Sequence, residues 1–147
     1  MTSPARKVAI GIVLYVFLAL SFYGLRLFAA HTSGGPIPLW YSIAKVLGEA
    51  AIAVAPGFIV GWLARERGLI LGAAAGGIGA LVSTTVILYH WSLPPPGGFV
   101  EPASAEFVLH LALGVVLAAL AAAFTNAIGG IAGAAVRRGA RPHEVAP

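Results

Sequence analysis

The sequence predicts an all-α membrane protein, four transmembrane helices packed as a bundle with both termini cytoplasmic. Three observations lead there. The 147-residue chain is 59% hydrophobic and only 10% charged, where a soluble domain carries about 25% charged residues. Its mean hydropathy is +0.93, so it has too little polar surface to coat a water-facing globule. The apolar residues fall into four runs, each near or above the roughly 20 residues that a spanning helix needs.

The runs cover about 8–30, 39–63, 69–91 and 103–136. Backbone groups in hydrocarbon must be satisfied within their own segment, which makes each run a helix. The first begins after Arg6 and Lys7 and could be taken for a secretory signal. Its apolar stretch exceeds the 7–15 residues of a typical signal core. A bulky residue also stands three before either plausible cleavage point in Leu27-Phe28-Ala29-Ala30-His31. It is read as a retained helix. The connections HTSGGPIP at 31–38 and SLPPPGGFVEP at 92–102 are rich in Pro and Gly, which end helices. Residues 1–138 therefore read as a single transmembrane domain, and GARPHEVAP at 139–147 as a short disordered tail.

Basic residues set the orientation. Arg6 and Lys7 precede the first run, Arg65 and Arg67 lie between the second and third, and Arg137, Arg138 and Arg141 follow the fourth. The other two connections contain no Lys or Arg. An excess of Lys and Arg marks cytoplasmic loops, so both ends and the 2–3 turn are expected there. Trp40, Tyr41, Tyr89 and Trp91 then mark the outer interface and Trp62 the inner one. The sequence pI near 10.0 follows from this topology, and no nucleic-acid partner is expected. The lipid bilayer is the expected surrounding. The Ala/Gly-rich composition suggests a bacterial inner membrane.

Packing is written in the small residues. Gly68, Gly72 and Gly76 recur every four residues, with Ala80 next and Gly79, Ser83 and His90 close to the same stripe. Gly57 and Gly61 repeat the spacing just after Pro56. Such spacing lets another helix come close in lipid. Packing within the bundle is the preferred reading, because four helices must pack on one another before they pack on anything else; an oligomer or protein-partner face is the alternative. Pro56 is expected to kink its helix. The fourth run exceeds the ~30 Å hydrocarbon core and should tilt or break near Asn126–Gly130.

Two cations lie away from the cytoplasmic side, Arg26 and Lys45, and Glu49 sits one turn deeper than Lys45. A charge at a spanning helix's centre costs about 2.5–3.5 kcal/mol even on the lenient insertion scale. Glu49 is therefore expected to face the interior and pair, with Arg26 the best partner: its planar fork matches a carboxylate and it keeps its charge when buried. One reading makes the pair a register lock between the first two helices. The other makes Glu49 a proton- or cation-coupling carboxylate.

His31, His90, Glu106 and His110 gather at the outer side in sequence, and imidazoles with a carboxylate suit zinc or copper. No compact metal motif such as HExxH supports the idea. The chain has no Cys, which excludes thiol chemistry. It also has no GxSxG, Walker A or dinucleotide fingerprint. No cofactor and no enzymatic activity are expected. The leading expectation is a non-catalytic accessory or scaffolding subunit, possibly oligomeric. A small proton- or cation-coupled transporter or channel subunit using Glu49 is the first alternative, and an outer metal site the second.

Overall fold

The computed structural model of the chain describes residues 3–33, 38–64, 66–92 and 104–140, without the side chains of 91, 92 and 105. Arg65, Arg141, residues 34–37 and 93–103, most of the tail and the Trp91 side chain lie outside the described residues. The described chain is four helices: α1 (Pro4–Ser33), α2 (Leu39–Ala64), α3 (Gly68–Ser92) and α4 (Ala105–Gly139). All four are long and apolar enough to cross a membrane.

Each helix begins and ends for a local reason. At the start of α1, the Ser3 hydroxyl accepts from the Arg6 amide at 3.3 Å. At its end, Thr32 and Ser33 hydroxyls turn back onto the Phe28 and Ala29 carbonyls. Ser104 caps α4, its side chain accepting from the Phe107 amide at 3.2 Å, which satisfies a donor the first turn leaves over. The α2–α3 connection is a tight turn with Glu66 N–H on the Ala64 carbonyl at 2.8 Å. Arg137 Nη1 donates to the Trp62 carbonyl at 2.7 Å. That carbonyl is among the last four of α2, so a cation from α4 closes the α2 C-terminus. α4 runs unbroken through Asn126–Gly130; the break considered from sequence does not occur, and the Asn126 side chain bonds the α2 backbone and its own Ala122 carbonyl, as described below. α2 likewise continues as helix through Pro56.

α2 and α3 form the middle of the bundle. α1 packs on one side of this pair and α4 on the other, and among the described residues α1 and α4 make no close backbone approach. The core is small in volume because it is built from small residues: Ala29, Ala75, Ala80, Ala119, Ala122 and Ala134 are buried beside Val60, Tyr15 and Tyr41. With so little side chain between them, the helices meet backbone to backbone. A methyl group at Gly57 would strike the Asn126 backbone, one at Gly61 or Gly68 the Gly130 carbonyl, and one at Gly72 or Gly76 the carbonyls of Asn126 and Ala122. The contact is reciprocal. Gly129 and Gly133 on α4 press on the Val54 and Phe58 carbonyls of α2, and Gly130 on the Gly68 carbonyl of α3. Both glycine stripes therefore face α4, between residues 122 and 134.

The backbone contacts with α4 lie in one half of the bundle. In α4, residues 106–118 are exposed apart from half-buried Val115, and nothing lies within 4 Å of where a methyl on Gly114 would stand. Over about 20 Å, the first half of α4 is largely uncovered, although Val115 is half-buried and Val116 lines a recess shared with α3. Replacing Gly61 or Gly72 with Val is expected to lower stability by about 1–3 kcal/mol or more, since backbone cannot move aside as a side chain can. Gly114→Ala should stay within about 1 kcal/mol of wild type, on the stabilising side. Melting in detergent micelles checks both; equal effects at Gly72 and Gly114 would contradict the described packing.

Candidate functional site

Two polar arrangements interrupt the apolar bundle. The deeper one centres on Asn126, fully buried on α4. Pro56 has no amide hydrogen, so the Ile52 carbonyl one turn earlier in α2 has no intrahelical partner. Asn126 Nδ2 donates to that carbonyl at 3.4 Å and to its own Ala122 carbonyl at 3.0 Å. Its Oδ1 accepts from the Gly57 amide at 2.7 Å. One side chain thus bridges both sides of the proline. Among the described residues, no buried side-chain nitrogen or oxygen is left without a hydrogen bond. Sequence reasoning missed this role. The available signal was a lone Asn in the apolar run of α4 together with a proline inside α2: a buried amide needs partners, and a proline in a helix supplies one.

The second arrangement is an open recess of about 400 Å³ between α1 and α2, lined by Phe22, Arg26, Tyr41, Ser42, Lys45 and Glu49. The sequence placed Arg26, Lys45 and Glu49 together, and the structure brings all three to this recess. The pairing differs from the expected one. Glu49 meets Lys45, with Nζ to Oε1 at 3.9 Å and side chains 55% and 59% exposed. At that exposure the pair contributes little. Among the described residues Arg26 makes no ion pair or hydrogen bond. Glu49 is also not enclosed. Lys45 and Glu49 continue the stripe that carries Ile52, Pro56 and Val60 deeper in α2, by their spacing of three and four residues. That stripe is covered at Pro56 and Val60. It is open at Lys45 and Glu49, both exposed, where α1 and α2 line the recess. The expectation of an interior, Arg26-paired Glu49 assumed a bundle closed along its whole length.

Phe22 and Tyr41 line one wall of the recess. Tyr41 is buried and stacks on Phe22, ring centroids 6.2 Å apart, while Trp40 meets Tyr41 edge-on at 6.0 Å. The Phe22 ring also covers Gly48, where a methyl would overlap it. Tyr41, expected as an interface anchor, is thus part of the α1–α2 contact; Trp40, Trp62 and Tyr89 are exposed.

His31, His90 and His110 do not assemble. His90 Nδ1 lies 3.1 Å from the Tyr23 hydroxyl, with the rings edge to face. His110 Nδ1 lies 2.8 Å from the backbone carbonyl of Glu106 on its own helix. His31 is exposed at the end of α1. Among the described residues no three His or Glu side chains come together as a metal group. The reason is directional. At about 100° per residue, Glu106 and His110 stand roughly opposite Asn126 around α4, on the face turned away from the bundle.

No family model matches the chain, and comparison with the curated proteins and with the solved structures returns no match. The fold itself gives the class: a bundle of four helices, each apolar and long enough to span a membrane, consistent with a multi-pass membrane protein.

The Asn126 bridge is open to a double-mutant test. Asn126→Leu is expected to cost about 1–3 kcal/mol, since it strands a buried amide and a buried carbonyl. In a Pro56→Ala background the new amide at 56 can serve the Ile52 carbonyl, and the cost should fall by roughly 1 kcal/mol. Equal costs in both backgrounds, read from unfolding in detergent, would show that Asn126 does not repair the proline.

Proposed function

We propose that this chain is a non-catalytic integral membrane subunit that holds a partner protein or a second copy of itself through the outer half of α4. The single observation that carries the reading is the exposure of residues 106–118, all but half-buried Val115, on a helix whose other half is locked into the bundle. Phe107, Leu109, Leu113, Val116 and Leu117 stand out from this stretch, each more than half exposed. Lipid can cover an isolated helix, but with no driving force between apolar tails and apolar side chains, association rests on packing and polar contacts. The α4 stretch offers both. Ala112, Gly114 and Ala118 permit close approach, and Glu106 and His110 lie on the face turned away from the bundle. The Lys/Arg distribution supports both termini in the cytoplasm, which puts this half of α4 on the outer side, and the composition suits a bacterial inner membrane.

A transport or channel role for Glu49 meets an obstacle in the inner half. There Gly57, Gly61, Gly68 and Gly72 bring backbones into contact around Asn126 and Gly130, leaving a single copy little room for a polar passage.

Native mass spectrometry after gentle extraction from the native membrane tests the proposal. The expected result is a complex of fixed stoichiometry, with a partner or with a second copy, that weakens when Leu113 and Leu117 are both replaced by Ala. A lone monomer at every detergent and protein concentration would overturn it.

A further inference from the structure

We propose that the recess between α1 and α2 binds a phosphate-type oxyanion, carried on a lipid headgroup or free in solution. The proposal does not rest on the subunit reading, because the recess is formed by α1 and α2 alone.

Charge is the first argument. The recess gathers the guanidinium of Arg26, the ammonium of Lys45 and the carboxylate of Glu49, two positive groups against one negative. Lys45 and Glu49 partly offset each other at 3.9 Å. Arg26 is left without an ion pair or hydrogen bond among the described residues. A planar guanidinium presents a fork of donors that matches phosphate or carboxylate oxygens two at a time.

Depth is the second. Arg26 lies seven residues before the end of α1 and Lys45 six residues after the start of α2. Each is therefore about 10 Å below a helix end. Long basic side chains at that depth reach toward the headgroup layer. An unpaired guanidinium there is costly, and a phosphate lowers that cost.

Shape is the third. A volume of about 400 Å³ falls within the range of small-ligand sites, ~300–1,000 Å³. The stacked rings of Phe22 and Tyr41 give one rigid wall, and the Ser42 hydroxyl adds a donor beside Lys45. A cation site would need the opposite balance. Glu49 would then have to outweigh two positive neighbours, one of them already on its oxygen.

The sign of the Glu49 effect separates the two chemistries. Removing its charge frees Lys45 for an anion, so Glu49→Gln should bind an oxyanion several-fold more tightly. If the site takes a cation, the same change abolishes binding. The experiment uses the full chain purified in a neutral maltoside detergent. It is titrated with phosphatidylglycerol, with diacylglycerol of the same chains, and separately with inorganic phosphate, and followed by native mass spectrometry and by tryptophan fluorescence. One equivalent of phosphatidylglycerol retained over diacylglycerol is expected. It should be weakened about tenfold (about 1.4 kcal/mol) by Arg26→Gln and left unchanged by Arg138→Gln at the far end of α4. Saturable binding of inorganic phosphate that competes with the lipid, with the same dependence on Arg26, supports the site and assigns it a soluble anion. Three results would overturn the proposal: no preference over diacylglycerol together with no phosphate binding, wild-type affinity in an Arg26→Gln chain of unchanged melting temperature, or loss of binding in Glu49→Gln.

Discussion

Pro56 takes a hydrogen-bond donor out of α2, and Asn126 on α4 puts one back. The amide of Asn126 gives a proton to the Ile52 carbonyl that the proline leaves without a partner and takes one from the Gly57 amide beside it. The surrounding packing depends on this exchange. For a side chain as short as Asn to reach the α2 backbone, α4 must lie against α2 with nothing between them. Gly57 and Gly61 on one helix, and Gly129 and Gly133 on the other, make that approach possible. α3 then closes on the same point through Gly72 and Gly76. A larger residue at any of these places would lift a helix away and strand the amide in an apolar core, where an unsatisfied polar group is expensive.

The bundle is thus closely packed where glycines of α2, α3 and α4 meet, between residues 122 and 134 of α4. Before Ala119 the α4 sequence turns to Leu, Val and Phe, and the helix is largely exposed. The Lys45–Glu49 face of α2 is also open, and with Arg26 of α1 it lines the recess. One end of the protein is specified by backbone contact, and the other presents its chemistry. The two proposals follow this division: an unpacked helix surface for a protein partner, and a cationic recess for an oxyanion.

Much of the architecture was legible in the sequence, because the apolar length of a segment and the Pro/Gly content of its connections act locally. The four helices begin and end within about four residues of where those signals put them, and α1 and α4 extend past the apolar run because Arg6, Lys7, Arg137 and Arg138 are good helix residues. The site was less legible, since it depends on which helices meet and how far along. Arg26, Lys45 and Glu49 could be grouped from their shared depth. Their pairing could not, because it turns on how the α1 and α2 side chains meet around the exposed recess. Glu106 and His110 were joined to His31 and His90 by depth alone, without the rotation of α4 that turns them outward. Within its own helix, Asn126 marks a place for α4 to break, and its partner 69 residues away in sequence leaves no periodic trace.

The most direct test of the central interaction is NMR of the protein in micelles, with the side chain of Asn126 and the amide of Gly57 assigned. The account predicts a slowly exchanging Gly57 amide, slowly exchanging Asn126 side-chain protons, and through-space contacts from those protons to Ile52 and Gly57. A freely exchanging Asn126 amide with no contact to α2 would contradict it. The glycine packing would then need a different cause.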